Sequence, residues 1–467
     1  MSEKKATNTY SLKTRIAAPA EEVFDWHSRP GALERLLPPW RKIRVIHRDS
    51  SLDIGSRVHL QIGLGPFKIT WIVEHKNCLP KREFVDAQVK GPFKYWRHRH
   101  LFHAIDAKNC EMEDVLHYTP PAGALGRLVA NRLLQKDLAR GFTYRHRIVS
   151  LDLAALQKHN EVPKQRILVS GATGLIGSAL VPFLRAAGHQ VWILTRSEPS
   201  DVHTVRWSPT EGQIEEEKLE NFDTVIHLAG ENIAGRWTKE KKARIHDSRV
   251  NGTRLLVNAL NRQLHPPKTF IGASAIGYYG DRGDEILTES SSLGKGYLPS
   301  VCEEWEQAAK EFTGGRVVHA RLGVVLSYSG GALKQMLTPF KLGVGGTVGS
   351  GDQYMSWIAI DDVVYQLYHL IANEGLTGPF NLVSPNCVTN AEFTKILGRV
   401  LQRPTVLPLP AFVVKAVFGE MGENLLLGSS RVEPTQLESS NASFAYPDLE
   451  QCLRHLLGRR KLRKTGA

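Results

Sequence analysis

The sequence predicts an α/β chain: a doubly wound parallel sheet preceded by a separate α+β domain. Three observations predict it. An apolar strand-like run ends at Ser170 and passes through Gly171, Gly174 and Gly177 straight into an apolar helix. Further strand-like runs follow at 190–194, from Asp223, and at 268–273. The first 150 residues instead carry a succession of alternating, turn-separated strand patterns.

The front comes first. An alternating strand at 10–16 is followed by Ala18-Pro-Ala-Glu-Glu-Val-Phe, where Pro19 and two glutamates suit a helix start. Strands are predicted at 42–48, 57–62, 68–75, 82–89, 95–105 and 110–118, and then a long amphipathic helix from about Gly123 to Asp152. This order, with the Pro-x-Glu-Glu-Val-Phe segment, resembles the helix-grip fold of the START-like polyketide cyclase and lipid-carrier superfamily. That resemblance implies an internal cavity and an apolar ligand in a domain spanning 1–155. Ten of the eighteen histidines precede residue 160, and His98 and His100 share one strand face. No carboxylate or cysteine is spaced in sequence to complete a ligand set, so satisfied or solvent-facing histidines and no metal site are expected. Trp40, Trp71 and Trp96 are expected in the core. The polar, proline-broken stretch at 156–165 is the predicted linker.

The glycine triplet opens the domain predicted over 166–460. Gly171 makes a tight turn, Gly174 admits a pyrophosphate, and Gly177 lets helix and strand pack closely. A helix predicted at 178–187 presents its N–H groups to the phosphates. Thr173, Leu175 and Ile176 complete the turn. Where NAD-selective folds end their second strand in an acidic residue, this chain has Thr195 and Arg196. An arginine there suits a 2′-phosphate, and the expected coenzyme is NADP(H). Leu228, Ala229 and Gly230 end the next buried strand in small residues beside the coenzyme.

These features resemble the Rossmann fold of the extended short-chain dehydrogenase/reductase superfamily, in its atypical epimerase-like branch, from about 166 to 457. The motifs are Gly-Ala-Thr-Gly-Leu-Ile-Gly from Gly171, His227-Leu-Ala-Gly-Glu-Asn-Ile, Arg321-Leu-Gly-Val-Val-Leu-Ser, Gly349-Ser-Gly-Asp-Gln, Ser356-Trp-Ile and Asp361-Asp-Val. A C-terminal α/β cap, expected mainly after about residue 375, carries Leu409-Pro-Ala-Phe and Phe418-Gly-Glu. The superfamily's Tyr-x-x-x-Lys is absent, because Leu298 and Cys302 stand at those positions. A phenol of pKa about 10 without a neighbouring lysine is a poor base. Ser274 matches the superfamily serine, and Arg249 replaces its asparagine, facing a phosphate or a substrate carboxylate. Cys302, Tyr278 and Tyr279 are the other candidate catalytic groups.

The resemblance implies an NADP(H)-dependent oxidoreductase or epimerase-like enzyme, with hydride passing to or from a small substrate near Ser274 and Arg249. The alternative is a non-catalytic NADP(H)-binding sensor or scaffold whose front domain is a ligand receptor. Scattered cysteines, five in all, and an N-terminus without an apolar stretch suit a reducing cytoplasm. No apolar run is long enough for a membrane span. The net charge of +13 is partly carried by a basic tail at 461–467, without a nucleic-acid module, so no nucleic-acid partner is expected. Substrate and oligomeric state stay open.

Overall fold

The structure, a computed structural model, describes residues 6–49, 51–65, 67–120, 127–198 and 202–459. The chain divides into two compact units, Met1–Asn160 with Pro182–Gly188 and His455–Ala467, and Glu161–Val181 with His189–Arg454. The predicted basic tail and the first residues of the amphipathic segment lie outside the described residues. No described helix is long and apolar enough to cross a membrane.

In the first unit β1 (Asn8–Ile16) leads to α1 (Ala20–Ser28) and α2 (Ala32–Leu36). Then come β2 (Ile43–Arg48), β3 (Arg57–Leu64), β4 (Phe67–Leu79), β5 (Glu83–Lys90), β6 (Tyr95–Asp106), β7 (Asn109–Thr119) and α3 (Arg127–Gln157). Pro19 sits at the N-cap of α1, with Glu21 and Glu22 in the first turn, where carboxylates favour the helix dipole. The short α2 was not predicted. All seven strands form one antiparallel sheet, ordered β1-β7-β6-β5-β4-β3-β2. Strict alternation buries Cys110, Met112, Asp114, Leu116 and Tyr118 on one face of β7. Leu138 and Phe142 of α3 pack on that face against Trp96, Leu116 and Tyr118. Trp71 meets Trp96 edge to face at 4.9 Å, as expected of core residues. The buried pair Arg35–Asp152, with bonds of 3.0 and 2.7 Å, ties α2 to α3. This is the helix-grip arrangement.

One expectation about the histidines is corrected. Carboxylates do join His98 and His100, because strand register supplies what sequence spacing does not. Asp86 on β5 lies opposite His98, and Asp114 on β7 lies opposite His100. These side chains face the buried side and are hydrogen-bonded there.

After residue 160 the chain forms β8 (Arg166–Ser170), α4 (Gly177–Ala186), β9 (Gln190–Thr195), β10 (Thr204–Ser208), β11 (Gln213–Ile214) and β12 (Thr224–His227). It continues with α5 (Lys239–Asn261), β13 (Thr269–Ala275), β14 (Ile286–Leu287), α6 (Tyr297–Lys310), β15 (Arg316–Leu322) and β16 (Val324–Leu326). Next come α7 (Gly331–Lys341), β17 (Tyr354–Met355), β18 (Trp357–Ala359), α8 (Ile360–Ala372) and β19 (Gly378–Leu382). The main sheet is ordered β11-β10-β9-β8-β12-β13-β15-β19, parallel except at β11. Strand order reverses between β8 and β12, the topological switch where such sheets take ligands at their carboxyl ends. β12 is buried on both faces, as its apolar run requires. The first strand after residue 375, β19, completes this sheet. After it come β20 (Val388–Thr389), α9 (Asn390–Leu401), α10 (Ala411–Phe418), α11 (Glu420–Gly422), β21 (Arg431–Val432), α12 (Thr435–Ser439) and α13 (Leu449–Leu456), in the stretch where the cap is expected.

Candidate functional site

At the switch point the chain turns on Gly171, whose φ of +68° is one that side-chain-bearing residues rarely adopt. A Cβ there would stand 2.8 Å from the Leu228 carbonyl and 2.9 Å from the Ala229 nitrogen. A Cβ at Gly177 would strike the Gly171 oxygen at 2.3 Å, so α4 starts hard against the turn. Gly174 differs: a Cβ there would meet just the Gly171 oxygen, at 3.1 Å, among the described atoms within 4 Å. Thr173 and Gly174 are exposed, and Leu175 and Ile176 are half-buried. Closed inside and open outside, the turn fits a pyrophosphate resting on backbone.

Two residues missed by the sequence reading hold this turn. The buried Ser170 oxygen accepts the backbone N–H groups of Leu228 (3.0 Å) and Ala229 (3.1 Å). Its own proton goes to Nδ1 of His227 at 2.7 Å. His227 is fully buried beside Trp207 and Phe270, and burial lowers its pKa to about 4. It is thus neutral and an acceptor at Nδ1. The only sequence signal was the polar pair Ser170 and His227 at the ends of two apolar strands.

Thr195 ends β9, beside β8, and its hydroxyl accepts the Ser197 N–H at 3.1 Å. Arg196 is exposed, and no described side chain or carbonyl engages its guanidinium. Arg249 on α5 is no surface arginine. It is half-buried, donates to the carbonyls of Glu231 (3.1 Å) and Ile245 (3.2 Å), and lies over the Trp305 ring. A Cβ on Gly230 would come within 3.4 Å of its guanidinium carbon, so Arg249 backs the loop of Leu228, Ala229 and Gly230.

The predicted catalytic residues are gathered around the end of β13, and the polar groups of Ser274, Tyr279 and Cys302 are buried there. Ser274, buried, donates its proton to Glu306 of α6 at 2.7 Å. Glu306 forms a two-pronged pair with Arg321 of β15, at 2.7 and 2.8 Å, with side chains 5% and 4% exposed. Arg321 also donates to the Tyr279 hydroxyl at 2.9 Å, which donates to Asn381 Oδ1 at 2.7 Å. Burial alone would raise the Glu306 pKa, yet Arg321 and Ser274 hold it below its ordinary value. Cys302 is buried near Gly277, and burial together with Glu306 pushes its thiol up to about 12. That environment opposes a thiolate, the species a nucleophilic Cys302 would need. Tyr278 is half-buried, its ring 3.6 Å from the Arg321 guanidinium carbon. The sequence reading named Ser274, Cys302, Tyr278 and Tyr279, and it missed Glu306, Arg321 and Asn381, which organise them.

Comparison with known proteins agrees with this architecture. Residues 16–141 match the polyketide cyclase / dehydrase and lipid transport family, 167–382 the NAD dependent epimerase/dehydratase family, and 409–456 a domain of unknown function. An epimerase family protein of Mycobacterium bovis, Mb2239, is 42% identical over 290 residues, 62% of this chain and 96% of that protein. The crystal structure of a nucleoside-diphosphate sugar epimerase from Corynebacterium glutamicum is 31% identical with a TM-score of 0.80, covering 97% of this chain and 91% of that one. Human epimerase family protein SDR39U1, solved with NADPH, is 35% identical with a TM-score of 0.58, covering 62% of this chain and 98% of that one. With its glycine turn, its switch-point sheet and these relatives, the chain belongs to the NAD dependent epimerase/dehydratase family, in a form that carries a polyketide-cyclase-type domain in front.

Proposed function

We propose that the second unit binds NADPH across the turn at 171–177 and performs hydride transfer on a small carbonyl or alcohol substrate. The observation that carries this reading is the backbone cradle, which excludes a Cβ on its inner side at Gly171 and leaves space outside Gly174. The positive end of the α4 dipole, which starts at Gly177, suits the phosphates. Thr195 and the free guanidinium of Arg196 would take the 2′-phosphate, in keeping with the NADPH in the human relative. Leu228, Ala229 and Gly230 would line the coenzyme, with Arg249 holding their loop in place. When bound, the nicotinamide supplies the hydride chemistry. Of the four predicted catalytic residues, Tyr278 is the one whose side chain is not buried, and its phenol is the proposed donor to the substrate oxygen.

A second reading has a specific observation in its favour. Ser274 and Cys302 are both buried, with the Ser274 proton committed to Glu306, as in a sensor that binds NADPH without turnover. Calorimetry with NADPH and NADH on the full chain, followed by NADPH oxidation over a panel of carbonyl compounds including nucleotide sugars, separates the two. Binding of one NADPH with turnover lost in Tyr278→Phe supports the enzyme. Tight binding without any turnover supports the sensor, and no heat with either coenzyme overturns both.

A further inference from the structure

The first unit contains a band of histidines and aspartates that the nucleotide reading does not use. It crosses four adjacent strands on the buried face: His75 on β4, Asp86 on β5, His98 and His100 on β6, Asp114 on β7. We propose that Asp86, His98 and His100 bind a divalent transition-metal ion of the zinc or iron(II) class, with an adjoining cavity supplying its open coordination position.

The geometry is that of a three-ligand site. One ligand atom from each of the three side chains lies within 4.8 Å of the others. Nitrogen and oxygen ligands at about 2.0–2.2 Å from one ion stand roughly 3–4 Å apart. His100 Nε2 and Asp86 Oδ2 are already 3.3 Å apart. Two imidazoles and one carboxylate suit zinc or iron(II) rather than metals that prefer sulfur. Three protein ligands leave a position for water or substrate, unlike closed structural sites.

The surroundings orient these ligands. Asp114, buried, faces Nδ1 of His100 at 2.9 Å and Nε2 of His98 at 3.1 Å. With the N–H of His100 on Nδ1, its Nε2 keeps a lone pair on the Asp86 side. A carboxylate gripping the far nitrogen, as Asp114 does at His100, is the usual support of a metal-bound histidine. Asp114 is fixed in turn by His146 of α3 at 3.0 Å, itself bonded to Thr14 at 2.8 Å. His75 bonds the other oxygen of Asp86 at 2.6 Å. The cavity, of about 80 Å³, is lined by His27, His75, Phe84, Asp86, His100 and Arg145 and so reaches two of the three ligands. It has room for an ion and a water or two, at about 30 Å³ each.

The test uses the full chain, purified without a metal-affinity step and stripped with chelator. Titration with Co(II) is followed by its visible d–d absorption, and Zn(II) then competes. The expected result is one equivalent bound per chain, with bands of a four- or five-coordinate N/O site that Zn(II) erases. Asp86→Asn and His100→Gln should each remove the bands, while Asp114→Asn, which touches no metal, should weaken Co(II) by about 10- to 100-fold. Melting of the wild type, raised by Co(II), gives a readout independent of whether any variant folds. No d–d bands in the wild type at 100 equivalents of Co(II) would overturn the proposal and leave a metal-free His–Asp network. Bands surviving in a folded Asp86→Asn or His100→Gln protein would overturn it too, placing the ion elsewhere.

Discussion

In the second unit the glycine turn and the end of β13 are built on opposite plans. At the glycine turn, function is assigned to backbone: Gly171 and Gly177 leave no room for side chains, and Ser170 with His227 braces the turn from behind. At the end of β13 the polar atoms are side-chain atoms, linked inward from Ser274 through Glu306, Arg321 and Tyr279 to Asn381. The proposed coenzyme binding and substrate chemistry would therefore rest on different physics in one sheet, and substitutions should separate them. The largest effect is expected from Glu306→Ala. It leaves the Arg321 guanidinium buried without its carboxylate, which costs about 3–5 kcal/mol. Thermal unfolding of the second unit should move down by on the order of 10 °C. NADPH affinity of the remaining folded protein should stay unchanged. A Glu306→Ala protein that melts normally yet loses turnover would make the chain of bonds catalytic rather than structural.

Acid should act on the other end. His227 has a folded pKa of about 4 against an ordinary value of about 6.5, so the fold keeps it neutral. Below pH 6.5 the unfolded chain takes up a proton that the folded chain refuses. Its contribution to stability is complete above pH 6.5 and is lost progressively down to about pH 4. The total is on the order of 3 kcal/mol, at about 1.4 kcal/mol per unit. His319, lowered to about 4 by burial, adds to the same slope. Denaturant unfolding from pH 7 to 4.5 should show this decline, and His227→Asn should flatten part of it. An unchanged slope in His227→Asn would remove the brace behind the turn from the account.

Gly171→Ala and Gly174→Ala sharpen the contrast inside the turn itself. Alanine at 171 must hold φ near +68° with its Cβ 2.8 Å from the Leu228 backbone, a cost of about 1–3 kcal/mol. Alanine at 174 has open space beyond the Gly171 oxygen, so stability should change by under about 1 kcal/mol. NADPH binding should fall in both, measured by calorimetry. If Gly174→Ala binds normally, phosphates do not rest on that face.

What the sequence revealed follows the same division. Periodicity marked the strands of the first unit, most clearly β1 and β7, whose burial alternates residue by residue. Glycine spacing marked the turn, because few other residues tolerate it. Cross-strand partners escaped, since register and not spacing sets Asp86 against His98 and Asp114 against His100. Asp114 did leave a trace: it interrupts the apolar row Cys110, Met112, Leu116 and Tyr118. Glu306 and Arg321 look like ordinary charges on a helix and a strand, and only the three-dimensional packing shows that each buries the other. The two-residue strands of the cap are fixed by tertiary pairing alone.

Arg196→Ala should leave the fold least disturbed. The side chain is exposed and engages no described partner, so its loss changes stability within about 0.5 kcal/mol. Its effect lies wholly in coenzyme choice. A charge-assisted bond to a 2′-phosphate is worth about 1.5–3 kcal/mol, so NADPH affinity should fall by roughly 10- to 100-fold. NADH, which has no such phosphate, should bind as before. Arg196→Lys separates charge from shape: lysine keeps the cation but loses the planar fork, and should recover part of the difference. Measured by calorimetry at two salt concentrations, the NADPH advantage should also shrink as salt rises, because an exposed cation is screened. Equal losses for both coenzymes would mean that Arg196 shapes the end of β9 and that the 2′-phosphate is held elsewhere.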